Sequence, residues 1–153
     1  MKNKFFLLGL SMCLLKTISF AQNDFIKEPD PQRPLLFSDM PPVLTVQVSE
    51  LQKIMILSPG SAASILTGQP FSFNGVVRSV TSQNDNKLLT VILKLTGRNG
   101  GNLTLSAITA DDGTITYTAK VLSFQHGDCY VLKRNGDHDY SFIKKNFYEI
   151  VGE

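Results

Sequence analysis

Apolar and polar side chains alternate along most of the sequence after residue 70. The clearest alternation lies in three runs, residues 89–95, 103–107 and 115–121. This period of two is typical of half-buried antiparallel strands. The links between runs are only a few residues long, whereas a parallel connection needs about a dozen residues. Residues 71–153 therefore predict an antiparallel meander of six strands.

One turn in this region determines how the two strands on either side of it pair. Residues 111–113, Asp-Asp-Gly, fit a three-residue hairpin loop that ends on a glycine in the left-handed region. The predicted pairs across this hairpin are Ala110 with Thr114, Ala107 with Tyr117, Leu105 with Ala119 and Leu103 with Val121. A two-residue turn would instead place Leu105 opposite Lys120 and send an apolar set to solvent. The sequence therefore favours the three-residue loop.

A second hairpin is predicted at Asn135-Gly136, a strong turn dipeptide. Two registers are physically acceptable there. A two-residue turn would place Cys129 and Val131 on the face that carries Tyr140 and Phe142. A three-residue turn would place Tyr130 and Leu132 on that face instead.

The segment before residue 58 supplies the remaining secondary structure. Residues 44–48 alternate as a short strand does, and residues 49–57 fit either a short helix that begins at Ser49 or a second strand. We therefore expect one or two strands from residues 43–57 to close the meander. The predicted fold is an all-β domain over residues 43–153, a small closed barrel of the OB-like or lipocalin-like kind, with or without one short helix.

The N-terminal residues have the pattern of an export signal. Lys2 and Lys4 precede an apolar run, and Ser19-Phe20-Ala21 offers a signal-peptidase site. Lys16 interrupts the run, so we predict a cleaved signal peptide over residues 1–21, not a membrane-spanning anchor. The protein is then secreted or periplasmic. The rival interpretation is a lipoprotein acylated at Cys13.

Cleavage changes the charge of the chain. It removes three of the 15 basic residues and none of the 13 acidic residues, which leaves a net charge of −1. This balance gives no electrostatic reason to expect nucleic acid as a partner. Residues 22–42 then form a proline-rich arm, which we predict to be mobile and outside the core because each proline removes a backbone donor. The alternative is that the apolar residues Leu35-Leu36-Phe37 within the arm dock on the domain or on a partner.

A predicted loop over residues 58–70 is the first candidate for a binding surface. It is rich in small and helix-breaking residues, and loops of this length are often functional. The candidate binding residues are Ser58, Pro59, Gly60, Ser61, Ala62, Ala63 and Ser64.

Two polar segments, residues 126–129 and 137–139, resemble a metal site only in the types of residue that they contain. His126 and His138 lie on opposite ends of the predicted hairpin, on the order of 23 Å apart, which is too far to share an ion. Cys129 lies three residues from His126, and an odd separation in a strand sends two side chains to opposite faces. With no catalytic or phosphate-binding motif present, we predict a non-enzymatic protein without metal or cofactor. His126 and Asp128 remain secondary candidates for binding.

The leader ending in Ser19-Phe20-Ala21-Gln22, the proline-rich arm and the compact antiparallel barrel together resemble small secreted proteins of Gram-negative bacteria. Among these, the architecture is similar to that of the potempins, small β-barrel inhibitors of secreted bacterial peptidases. The resemblance implies a monomeric inhibitor that presents an exposed loop to a secreted peptidase. The alternative is a ligand-binding barrel with an apolar interior lined by Phe71, Phe73, Tyr117 and Phe142.

Overall fold

The computed structural model describes residue 30 and residues 32–68, 70–136 and 139–151. The predicted signal peptide lies outside these residues. The elements, in chain order, are β1 (Val43–Gln47), α1 (Val48–Met55), β2 (Ala62–Leu66), β3 (Ser72–Gln83), β4 (Leu88–Leu95), β5 (Asn102–Thr109), β6 (Ile115–Leu122), β7 (Asp128–Arg134), β8 (Asp139–Asn146) and α2 (Phe147–Val151).

The eight strands form one antiparallel sheet in the order β1-β8-β7-β6-β5-β4-β3-β2. The sheet curls so that its two edge strands meet, where the Gly68 N–H donates to the Thr45 carbonyl at 2.8 Å. The result is a nearly closed barrel. The prediction of a small all-β barrel with an antiparallel meander after residue 70 is confirmed.

The segment that the sequence left open, residues 49–57, is largely helical. In α1, Leu51, Ile54 and Met55 are buried, and this i, i+3, i+4 spacing puts them on one helix face. The helix follows β1 and packs its apolar face on the core at one end of the barrel. The second closing strand is β2, which comes from inside the predicted loop and not from residues 43–57.

The first hairpin has the register that the sequence predicted, and the second has one of the two inner faces that the sequence left open. In the first, Ala107, Leu105 and Leu103 pair with Tyr117, Ala119 and Val121, as predicted. In the second, Leu132 pairs with Phe142, and the Asn135 N–H bonds to the Asp139 carbonyl. The structure therefore selects the three-residue alternative for the second hairpin.

Aromatic side chains fill the barrel interior. Phe73 lies at the centre of a cluster, with its ring centroid 5.0 Å from that of Phe142, 5.7 Å from that of Tyr130 and 6.2 Å from that of Phe37. All three contacts are edge-to-face, the arrangement that the ring quadrupoles favour. These four buried rings close the middle of the barrel with side chains.

The arm contributes to this core, so the prediction that residues 22–42 stay outside it is wrong for residues 36–40. Leu36, Phe37 and Met40 are buried, and Phe37 has an exposed fraction of 0%. Three apolar side chains in five residues were enough to anchor a segment flanked by prolines. Residues 22–29 lie outside the described part of the chain.

Candidate functional site

In the structure, the predicted binding loop consists of a turn followed by a strand. Residues 58–61 form a turn in which the Ser61 N–H donates to the Ser58 carbonyl at 3.1 Å. Gly60 has a φ of +89°, a conformation that glycine adopts without strain. Its N–H donates to the Val77 carbonyl at 2.8 Å, which fixes the turn to β3.

The remaining candidates belong to β2, which corrects the prediction of one long loop over residues 58–70. Ala62 pairs with Val76, Ala63 with Gly75 and Ser64 with Asn74. Ala63 points inward with only 8% of its surface exposed, whereas Ala62 and Ser64 face outward. The small side chains that suggested a loop instead let this strand pack closely on β3.

The accessible part of this region is the exposed segment, defined here as residues 56–60. Ile56 is 84% exposed, and Ser58, Pro59 and Gly60 are exposed beside it. The Leu57 N–H bonds to the Ile54 carbonyl at 3.2 Å, so the segment is held to α1 at one end and to β3 at the other. Ile56 was not among the predicted binding residues, because residues 49–57 were assigned to a helix or a strand.

The secondary candidates His126 and Asp128 have different surroundings. His126 is half-buried, and its Nδ1 lies 2.9 Å from the Ser123 hydroxyl. Asp128 is buried at the start of β7, where one carboxylate oxygen accepts the Leu36 N–H at 2.6 Å and the other accepts the Phe37 N–H at 3.1 Å. The Asp128 carboxylate is thus fully engaged by the arm and does not face solvent.

The block around Asp128 receives the arm as a docking site within the fold. The Gly127 N–H donates to the Pro34 carbonyl at 2.9 Å. A Cβ on Gly127 would lie 3.2 Å from the Arg33 carbonyl oxygen, so this position favours the smallest residue. Gly127 and Asp128 therefore hold the arm at Pro34, Leu36 and Phe37.

Basic side chains hold the arm from the other side. Arg98 donates to both carboxylate oxygens of Asp39, at 2.6 and 2.8 Å, and to the Leu36 carbonyl at 3.0 Å. The hydrogen bond from Arg98 lowers the pKa of Asp39, against a smaller opposing effect of burial. Lys144 donates to the Phe37 carbonyl at 2.5 Å and also to the Met40 carbonyl.

The thiol of Cys129 has no features of a nucleophile. It is buried and free, and its Sγ lies 3.5 Å from the Lys145 carbonyl oxygen. Burial, with a smaller contribution from the Asp128 charge, raises the pKa of Cys129 to about 11. A thiol with so high a pKa is almost entirely protonated near neutral pH.

Of the residues expected to line a ligand-binding interior, Phe73, Tyr117 and Phe142 are buried and packed against other rings, and Phe71 is half-buried. Two surface concavities lie outside this core. One, of about 610 Å³, follows the junction of β1 and β2. The other, of about 750 Å³, crosses the outer wall from β4 to β7 and was not predicted from the sequence.

Among the described residues, no three His, Cys, Asp or Glu side chains come together in a way that would hold a metal ion. His138 lies outside this part of the chain. No helix in the described ranges combines the length and apolar character needed to cross a membrane.

Comparison with known proteins gives no further guide. No protein-family model matches the chain, and neither a curated protein sequence nor a solved structure is significantly similar to it.

Proposed function

We propose that this chain is a secreted, non-enzymatic binding protein that inhibits a secreted peptidase. The observation that carries the proposal is the exposed segment 56–60, which presents Ile56 to solvent on a closed barrel. Because hydrogen bonds already order this segment at both ends, docking it would cost little conformational entropy. An apolar side chain at the start of an ordered turn provides contact area for a partner.

The packing of the interior supports a binding role for the outer surface. A ligand inside the barrel would have to displace Phe37, Phe73 or Phe142, each of which is almost completely buried. The alternative, a barrel that binds a small ligand in its interior, is therefore less favoured. The protonated, buried Cys129 likewise supports a protein without nucleophilic catalysis.

The experiment is a titration of the purified mature protein into culture medium from the cells that export it. Hydrolysis of fluorescent casein is measured, with class-specific chemical inhibitors used to identify the peptidase class involved. We expect inhibition to saturate at an equimolar ratio with one peptidase. Unchanged hydrolysis at micromolar protein would contradict the proposal.

A matched pair of variants tests the contact surface. Ile56→Asp should weaken inhibition by roughly tenfold or more, because it places a charge in the proposed contact. Leu35→Asp changes an exposed apolar residue at the opposite end of the barrel and should leave inhibition unchanged. Both variants should keep the thermal unfolding temperature of the parent, because neither side chain belongs to the core. Equal inhibition by both variants would reject segment 56–60 as the contact.

Export is tested separately by the intact mass of the protein recovered outside the cytoplasm. We expect a chain that begins at Gln22. A chain that begins at an acylated Cys13 would instead place the protein on a membrane surface.

A further inference from the structure

The backbone ladder between β6 and β7 is short. These strands pair at only two positions, Lys120 with Val131 and Val121 with Tyr130, whereas β5 and β6 pair at eight. Beyond the two pairs, the Tyr117 N–H donates to the Tyr140 hydroxyl at 3.3 Å instead of to the β7 backbone. The backbone ladder between the two strands therefore ends at Lys120, and beyond it the Tyr140 hydroxyl takes the place of a β7 acceptor.

The wall groove is the concavity of about 750 Å³ on the outer side of β4 to β7. It includes the end of the β6–β7 ladder at Lys120 and Val131. Two of its lining residues, Ala119 and Leu132, are core residues that point inward, whereas Leu122 and Val131 line it from outside. The groove thus lies over the place where the β6–β7 ladder ends. Its volume lies within the range of small-molecule sites, about 300–1,000 Å³.

The groove also has a simple distribution of charge. Lys120 is the one charged residue among those that line it, and no carboxylate lies there. The other polar groups are neutral, mainly the hydroxyls of Thr104, Ser106 and Thr118. Phe124, which is 70% exposed, adds an aromatic surface. A mainly apolar site with one cation complements a ligand with an apolar body and one anionic group.

We propose that the wall groove binds an alkyl carboxylate, with the carboxylate at Lys120 and the chain against Leu122 and Val131. The mainly apolar lining accepts the chain, and the single cation accepts the carboxylate. This site goes beyond the proposed peptidase inhibition and does not depend on it, since segment 56–60 does not line the groove.

The test uses two soluble probes with the same chain and opposite charge, decanoate and decylammonium, below their micelle concentrations. Binding to the full mature protein is measured by calorimetry and located by amide shifts in NMR spectra. We expect saturable decanoate binding, with the largest shifts at residues 118–122 and 131–132, and weaker binding of decylammonium. No saturation up to about 1 mM decanoate, or shifts confined to other regions, would overturn the proposal.

Variants separate the contribution of charge from that of shape. Lys120→Gln should weaken decanoate binding about threefold, as expected for one partly exposed ion pair, and Lys120→Arg should retain it. Lys94→Gln, an exposed lysine of β4 that does not line the groove, serves as the control. Thr118→Phe should abolish binding because the added ring fills the wall groove. Thr81→Phe, on β3 and outside the groove, should leave binding unchanged. Unchanged affinity in both Lys120→Gln and Thr118→Phe would exclude this site.

Discussion

The carboxylate of Asp128 accepts the backbone N–H of Leu36 at 2.6 Å, although the two residues are 92 positions apart in the sequence. The same carboxylate accepts the Phe37 N–H, so one buried side chain satisfies two consecutive donors of the arm. Hydrogen bonds to an ionised acceptor are stronger than neutral ones, and an unsatisfied buried donor is costly. Asp128 therefore fixes where the arm enters the core.

Replacement of Asp128 tests this anchor. Asp128→Asn leaves one acceptor oxygen for two donors and should reduce the free energy of unfolding by about 2 kcal/mol. Urea denaturation measures the change. Asp85→Asn, in the exposed turn between β3 and β4, is the control and should have almost no effect. Equal stability of the two variants would mean that the arm is held without Asp128.

Truncation of Phe37 tests whether the arm is part of the core. Phe37→Ala removes a ring that contacts Phe73 and Tyr130 and should cost about 3–5 kcal/mol of unfolding free energy. The neighbouring Leu35→Ala, at an exposed position, should cost far less. Denaturant midpoints of the two variants give the comparison. A small loss for Phe37→Ala would return the arm to the mobile role that the sequence predicted.

The Asp39–Arg98 pair predicts a dependence of stability on pH. Arg98 lowers the pKa of folded Asp39 below its ordinary value of 3.8, so the charged carboxylate stabilises the fold at higher pH. This contribution should be complete above the unfolded pKa and disappear as the pH falls through the lower, folded pKa. We expect the stability difference between the parent and Asp39→Asn to shrink as the pH falls below about 3.8. Urea unfolding at several acidic pH values measures it, and a difference that grows on acidification would contradict the assignment.

Cys129 should resist alkylation in the folded protein. With a pKa of about 11, only about one thiol in a thousand is ionised at pH 8, and burial restricts access further. Reaction with iodoacetamide, followed by mass spectrometry, should be slow in buffer and fast in denaturant. Rapid modification of the native protein would indicate that α2 and the end of β8 do not cover the thiol.

The features that sequence analysis predicted correctly are those with a strict period. Leu103 and Leu105 alternate with polar residues, and the turn at residues 111–113 admits only one pairing that keeps both inside. Such a register follows from local information. The helix at residues 48–55 was ambiguous because its apolar spacing also fits a short strand.

The features that sequence analysis missed depend on partners far away in the chain. Phe37 is buried because Asp128, Lys144 and Arg98 provide polar partners for the surrounding backbone. The apolar residues 35–37 allowed docking on the domain or on a partner, but these three polar partners lie far away in the sequence. Ala63 was assigned to a loop because small residues fit loops and closely packed strands equally well. The wall groove arises where a pairing stops, and no single residue encodes that.

The order of strands around the barrel has a consequence for how the protein is made. β1, the first strand in the chain, pairs with β8, the last strand, whereas β2 to β8 each pair with a sequence neighbour. The hairpins from β2 to β8 involve only local loop closure and are able to form early, but β1 has no strand partner until β8 is present. β1 therefore has to wait for the C-terminal residues, and a chain that stops before β8 would leave β1 without its strand partner.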